Sequence, residues 1–456
     1  MSNKSIYFVG IGGIGMSALA RYFMHEGYRV GGYDRTPSFL TEQLAQEGAS
    51  VHYEDNIELI GEEFRDPATT RVIYTPAVPA DHSELCYFRE GGFEVMKRSQ
   101  MLGLLCEGNY VMAVAGTHGK TTTSTMAAHL LHQSHVGCDA FLGGISKNYG
   151  TNLLLSDTSD YVVIEADEFD RSFHWLTPYA TVITATDADH LDIYGTEEAY
   201  LESFSHYTSL IQPGGALIMR HGITLNPRLQ EGVRLYTYST NEGDFHAENI
   251  RIGGGEIFFD YISPLGNIKD IQLGVPVAIN IENGIAAMAL AQLSGATNEE
   301  IKAAMASFKG IDRRFDFKLK TDKVVYLSDY AHHPEEIKQS ILSMRALYAD
   351  KKLTGVFQPH LYTRTRDFYQ EFAQSLSLLD EVILTDIYPA RELPIEGVSS
   401  QLIYDHLRTD MEKALCKKEE VLGILADKDI EVLITLGAGD IENYAPQICE
   451  ILNKKC

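Results

Sequence analysis

Residues 111–131, VMAVAGTHGKTTTSTMAAHLL, leave the chain few ways to fold. The apolar run at 111–115 reads as a buried strand that breaks at Gly116, and beyond Lys120 the apolar spacing turns helical through Met126, Ala127, Leu130 and Leu131. A strand, a glycine loop and a helix in that order bring backbone N–H groups and the positive end of the helix around an anion. Lys120 adds a point charge and the Thr121 hydroxyl can hold Mg²⁺, so ATP is expected along Gly116, Thr117, His118, Gly119, Lys120, Thr121 and Thr122. The plainer alternative is a helix N-cap with an exposed lysine.

A chain of 456 residues exceeds what one core usually serves, so two or three domains are expected. A hydrophobic share of 45% and a charged share of 22% are those of an ordinary globular protein. No apolar run approaches a membrane span, and the first strand starts too early for a signal peptide; a cytoplasmic protein with no membrane partner is expected. The six cysteines form no C-x-x-C pair, which points to free thiols. A formal charge of −25 argues against nucleic acid as a partner. An acidic small substrate would have to be met by local lysines, arginines and helix N-termini.

Three strand-and-helix blocks follow one another, divided near 1–106, 107–311 and 312–456. In the first, a strand at 5–9 enters Gly10-Ile11-Gly12-Gly13-Ile14-Gly15, then a helix from Met16, then a strand ending at Asp34. That is G-x-G-x-x-G in its proper context, with an acid near the spacing that binds a ribose hydroxyl. On these residues alone a nicotinamide dehydrogenase would lead, although the motif specifies only a pyrophosphate over a helix N-terminus. A later strand at 71–74 exits at Thr75, a binding position or plain turn chemistry.

In the second block the apolar run 161–164 reads as a parallel strand ending in Glu165-Ala166-Asp167-Glu168, and Glu165 is the best placed acid for Mg²⁺. A strand at 180–184 leads to Asp189, His190 and Asp192, where His190 is either structural or a metal ligand. A hairpin is expected at 251–257, and a helix opens with Asn280 and Asn283, each a cap or a partner for adenine. The third block begins near Arg313 and Arg314, a solvated pair or a hinge cation. Its strands at 324–327 and 353–357 discharge Asp329 to Pro334 and Gln358 to Arg366, and a strand at 431–436 ends in the glycine turn 437–440. Polar residues repeatedly released at one sheet edge define a ligand cleft.

The shortened loop G-T-x-G-K-T-T lacks a glycine at position 114, which is Val114, and resembles the loop of the Mur ligases and of folylpolyglutamate synthase rather than that of a motor ATPase or a GTPase. GIGGIGMSALA, AGTHGKTTT, EADE, DHLDIY, RRF, DYAHHPEEI, FQPHLYTRTRDF and LGAGDI together resemble the alanine-adding branch of the Mur ligase family over nearly the whole chain. The resemblance implies an α/β protein of three domains: N- and C-terminal Rossmann-like parallel sheets flanking a central P-loop ATPase-like domain. It implies ATP and Mg²⁺ as cofactors, UDP-N-acetylmuramate and L-alanine as substrates, amide formation through an acyl phosphate, and a monomer or weak homodimer.

By the same resemblance Gly10, Gly12, Gly13, Gly15, Asp34 and Thr75 would bind the UDP substrate, and Lys120 the ATP phosphates. Thr121, Glu165 and His190 would surround the metal; Asn283 would face adenine, Arg314 the γ-phosphate and Asp329 the ribose. His333, His360 and Arg364 would serve the substrate carboxylate and the incoming alanine. Against the commoner family pattern, Ala185 stands for an asparagine, Ile279 for a histidine and Leu361 for an arginine, which leaves amino-acid recognition to Arg364 or Arg366. No lysine follows DHLDIY through Leu210, so a metal-bridging lysine carbamate is not expected.

Overall fold

The computed structural model describes residues 4–187, 191–390 and 392–455. Strands β1 (Ser5–Val9), β2 (Arg29–Tyr33), β3 (Ser50–His52), β4 (Thr70–Tyr74) and β5 (Glu94–Lys97) form a five-stranded sheet in the order β3-β2-β1-β4-β5, parallel throughout. Every residue of β1 is buried, as a central parallel strand covered on both faces requires.

A seven-stranded sheet follows, built from β6 (Tyr110–Ala115), β7 (Asp139–Ser146), β8 (Thr151–Leu154), β9 (Tyr161–Glu165), β10 (Ala180–Ile183), β11 (Ala216–Arg220) and β12 (Arg234–Tyr238). Its order is β12-β11-β10-β6-β9-β7-β8, with only β7 and β8 antiparallel among the assigned pairs. Because β6 lies between β9 and β10, the loop that leaves Ala115 emerges between Glu165 on one side and Thr184 on the other. The helix after that loop spans Lys120–His132.

The expected hairpin is present as β13 (His246–Gly253) and β14 (Glu256–Ile262), joined by β15 (Ile268–Gln272) in a three-stranded sheet. A six-stranded sheet comprises β16 (Asp316–Lys320), β17 (Val325–Asp329), β18 (Leu353–Phe357), β19 (Glu381–Leu384), β20 (Glu412–Leu415) and β21 (Val432–Leu436). Its order is β16-β17-β21-β18-β19-β20, parallel except where β16 meets β17. After the glycine turn at 437–440 the chain makes a 3₁₀ turn (Ile441–Tyr444) before its last helix (Ala445–Asn453), because Pro446 has no N–H to continue a helix and is favoured in a first turn.

The chain divides into two compact units: Met1–Glu248 with Asp260–Ile271 and Glu282–Phe308, and Asn249–Phe259 with Gln272–Ile281 and Lys309–Cys456. In the first unit one apolar cluster runs through both large sheets, from Phe8, Met16 and Leu19 to Val111, Phe141 and Ile164. The side chain of Asn152 on β8 is fully buried and stitches the same boundary: its Nδ2 donates to Ile14 O at 2.6 Å and Ser17 Oγ at 3.0 Å, and its Oδ1 accepts from Arg21 at 2.5 Å. No described helix is long and apolar enough to cross a membrane, and the five described cysteines are free thiols.

A phosphate loop and a glycine-turn cleft

At Gly116 the backbone adopts φ +127°, and a Cβ there would collide with Thr184 and Ala185, so the loop needs glycine. Thr117 N donates to Ala185 O at 3.1 Å and Thr117 Oγ1 to Asp187 O at 2.8 Å; Thr184 Oγ1 donates to His118 O. These bonds fix the loop from the β10 side. Asn283 is buried and accepts from Thr123 Oγ1 at 3.3 Å, and its Oδ1 would lie 2.9 Å from a Cβ at Gly119, so it packs against the loop itself. Thr122 is half-buried in the first helical turn.

Lys120 Nζ donates to Gly116 O at 2.6 Å and to Glu168 Oε1 at 2.8 Å. Glu168 is 1% exposed, its Oε2 has no hydrogen-bond partner, and burial raises its carboxyl above the usual range against the pull of Lys120. Thr121 Oγ1 donates to Glu165 Oε1 at 3.2 Å. Gly143 is pressed so closely on the Glu165 carboxylate that a Cβ would overlap it. A hydroxyl and a carboxylate side by side at a phosphate loop suit Mg²⁺, which takes oxygen donors and relies on one or two carboxylates plus substrate phosphates. Among the described residues no group of three or more His, Cys, Asp or Glu is arranged to cage a metal. His190 and Asp189 lie outside the described residues.

At the first glycine turn, Gly10 N and Ile11 N donate to Tyr33 O at 2.8 and 2.9 Å, and Gly12 N donates to Asp34 Oδ2 at 2.7 Å. Asp34, read from the sequence as a ribose ligand, thus holds the turn against the end of β2. Gly13 is the N-cap of the helix Ile14–His25. A cleft of about 260 Å³ opens beside it, lined by Gly13, Gly15, Thr75, Arg98, Glu165 and Asp167 among others. Arg98 and Asp167 are joined at 3.3 Å, and neither Arg98 nor the Glu168 pairing was legible from the sequence, although the Lys97-Arg98 pair at the exit of a parallel strand was the available signal.

In the second unit the segment before β16 carries positive φ at Arg313 (+65°) and Phe315 (+44°), and Phe315 N donates to Asp329 Oδ1 at 3.0 Å. Asp329 Oδ2 accepts from Ser340 Oγ, and burial raises the Asp329 carboxyl above the usual range. Its Oδ1 thus braces the backbone next to Arg314, while its Oδ2 ties to the helix Pro334–Leu347. His332 N and His333 N donate to Glu336 Oε2 at 3.1 and 3.2 Å, capping the helix Pro334–Leu347. The His333 ring lies 5.2 Å from that of Phe368.

Arg364 Nη1 is 3.3 Å from His360 Nδ1, one helical turn away, and the His360 ring stacks on Tyr388 at 5.8 Å. The His332 ring is 6.0 Å from His360, and burial lowers its pKa. Arg366 is exposed and paired with Asp367 at 2.7 Å, so Arg364 is the arginine gathered into this cluster. Leu361 sits between them at φ +70°, a conformation L side chains rarely adopt.

Three family profiles match in order along the chain: the Mur ligase family catalytic domain at residues 5–110, the Mur ligase middle domain at 114–291, and the Mur ligase glutamate ligase domain at 313–439. The UDP-N-acetylmuramate–L-alanine ligase of Phocaeicola vulgatus is 77% identical over 99% of both chains, and that of Parabacteroides distasonis is 63% identical over 99% of this chain and 98% of that protein. Among solved structures, a UDP-N-acetylmuramate–alanine ligase from Thermotoga maritima superposes with a TM-score of 0.84 at 26% identity, covering 99% of this chain and 100% of that one. A murein peptide ligase from Psychrobacter arcticus shares the fold, with a TM-score of 0.66 at 21% identity over 98% of each chain. With profiles that span most of its length and relatives matched from end to end, the chain belongs to the Mur ligase family.

Proposed function

We propose that the protein is an ATP-dependent ligase that joins L-alanine to the lactyl carboxylate of UDP-N-acetylmuramate in peptidoglycan synthesis. The observation that carries this reading is a single cleft running from the N-terminus of the helix Ile14–His25 to Glu165, beside the phosphate loop. A long substrate held by its diphosphate at the glycine turn would reach that loop with its lactyl carboxylate.

A carboxylate does not acylate an amine at neutral pH, so the γ-phosphoryl group of ATP is transferred to it first, and phosphate becomes the leaving group when the amine attacks. Lys120 neutralises charge on the transferring phosphoryl group, which moves through a loose, charge-spread transition state. Thr121, Glu165 and His190 would hold Mg²⁺, which when bound offsets the triphosphate charge. We assign the incoming amino acid to His360 and Arg364, with the His332 ring beside His360 and that of His333 against Phe368. Asp329 acts on Arg314 by holding the backbone of Phe315. Phosphate release that requires both UDP-N-acetylmuramate and L-alanine tests the reaction. Lys120→Ala is expected to abolish it in a folded protein, and retained turnover would remove Lys120 from the ATP role.

A further inference from the structure

The glycine turn of the first unit offers less to an anion than its sequence suggests. The amides of Gly10, Ile11 and Gly12 are already given to Tyr33 O and Asp34 Oδ2. What remains at this end of the cleft is the first turn of the helix Ile14–His25, whose leading N–H groups have no intrahelical acceptor. Backbone dipoles alone make a modest site for a doubly charged group. A second positive centre is required there, and the fold provides one from a different element.

Arg98 begins the helix Arg98–Leu105 directly after β5 and is the one cation among the described residues that line the cleft. Its guanidinium lies over the helix start, with Nη1 2.8 Å from where a Cβ of Gly15 would be. Any side chain at position 15 would push it away. Its Nη2 reaches Asp167 Oδ2 at 3.3 Å, a long single contact between side chains that are 22% and 36% exposed. A pair so loose and partly wet contributes little, so a stronger anion can take the guanidinium from it. Glu165, beside the phosphate loop that the reacting carboxylate would have to reach, lines the same cleft.

We infer that Arg98 is a substrate-binding residue that holds the diphosphate of the nucleotide substrate over Gly15, exchanging Asp167 for it. The inference rests on the ligase reading for the identity of the substrate, but not for its test. Arginine suits the task because its planar fork can bind two phosphate oxygens at once, whereas lysine offers a point charge.

UDP alone, which carries the diphosphate and no lactyl carboxylate, is the probe, with binding followed by calorimetry. Arg98→Ala is expected to weaken UDP binding about tenfold or more, with Arg98→Lys intermediate. In turnover the KM for UDP-N-acetylmuramate should rise with it while the KM for ATP moves less than about twofold. UDP binding within about twofold of the wild-type value would overturn the inference. So would unchanged UDP binding with a raised KM for UDP-N-acetylmuramate, which would assign Arg98 to the carboxylate. Asp167→Asn gives a second reading should the alanine variant not fold: freed from its counter-ion, Arg98 should bind UDP more tightly, and unchanged or weaker binding counts against the exchange. A wild-type protein that binds UDP but releases no phosphate would sink the ligase reading and leave the Arg98 result standing.

Discussion

Glu84 is completely buried in the five-stranded-sheet region, and its carboxyl is pushed up from 4.5 to about 7 by burial, with Tyr7 and Asn56 N opposing. Tyr7 Oη lies 2.7 Å from Glu84 Oε2 and 2.8 Å from His52 Nε2, and His52 Nδ1 lies 3.0 Å from Glu54 O. With Glu84 protonated, every proton has a place: Glu84 donates to Tyr7, Tyr7 to His52 Nε2, and His52 Nδ1–H to Glu54 O. Once Glu84 ionises, Tyr7 must turn its single proton to the carboxylate and His52 Nε2 loses its donor. Burial also lowers the pKa of His52, which works against charging the imidazole although its Nε2 lies 3.3 Å from Glu84 Oε1.

Folding therefore raises the affinity of Glu84 for a proton, and its stabilising contribution is complete below the unfolded-state value of 4.5 and lost as pH climbs through about 7. The full difference corresponds to about 3 kcal/mol, of which about 2 kcal/mol falls between about pH 5.5 and about pH 8.5. Glu84→Gln keeps the shape, can donate to Tyr7 at any pH and cannot ionise. Thermal or urea midpoints measured at both pH values should show the variant close to wild type at the lower pH and more stable by about 2 kcal/mol at the higher. A stability difference between the two proteins that is the same at both pH values, within about 0.5 kcal/mol, would refute the neutral relay.

Three further outcomes are expected. Gly143→Ala forces the Glu165 carboxylate away from Thr121, so turnover should fall on the order of a hundredfold with an unchanged circular dichroism spectrum; near-normal kcat would mean Glu165 is not needed in its present place. Asn152→Ala removes three hydrogen bonds from a buried seam, but Arg21 keeps Glu47 and Gln43 and Ser17 Oγ still donates to Ile14 O, so urea unfolding should register a loss of about 1–2 kcal/mol. Leu361 holds φ +70°, so Leu361→Val should lower stability by about 1–2 kcal/mol while Leu361→Gly should not lower it, and equal effects in melting experiments would argue against backbone strain there.

The strands and the phosphate loop were legible because their signals are local. Residues 111–115 are a continuous apolar run because β6 is buried on both faces, and Gly116 announces itself because no other residue fits its φ. Spacing shows that an acid ends β2, but not that Gly12 N–H donates to its Oδ2. The pairings that shape the site were not legible at all, since they join residues 48 apart (Lys120 with Glu168), 69 apart (Arg98 with Asp167) and 77 apart (Tyr7 with Glu84). Lys120 and Glu168 meet only once β6 and β9 pair, and Arg98 reaches Asp167 only once the two large sheets have packed.

One stretch gathers most of what the sequence concealed. From Asp167 to Arg171 each charged side chain is matched: Asp167 to Arg98, Glu168 to Lys120, Asp170 to Lys97 at 2.5 Å, and Arg171 over the ring of Tyr194 at 4.7 Å. Asp170 and Arg171 both take left-handed backbone, with φ of 50° and 54°, which disfavours the turn by roughly 1 kcal/mol or more per residue. The ion pair with Lys97 and the ring beneath Arg171 hold that turn in place, and Tyr194 also donates to Glu168 O at 2.5 Å. Carboxylates of this chain occupy Lys120 and Arg98; on the proposed function anionic ligands would bind by displacing them, and weakening either pair should then change ligand affinity before it changes the fold.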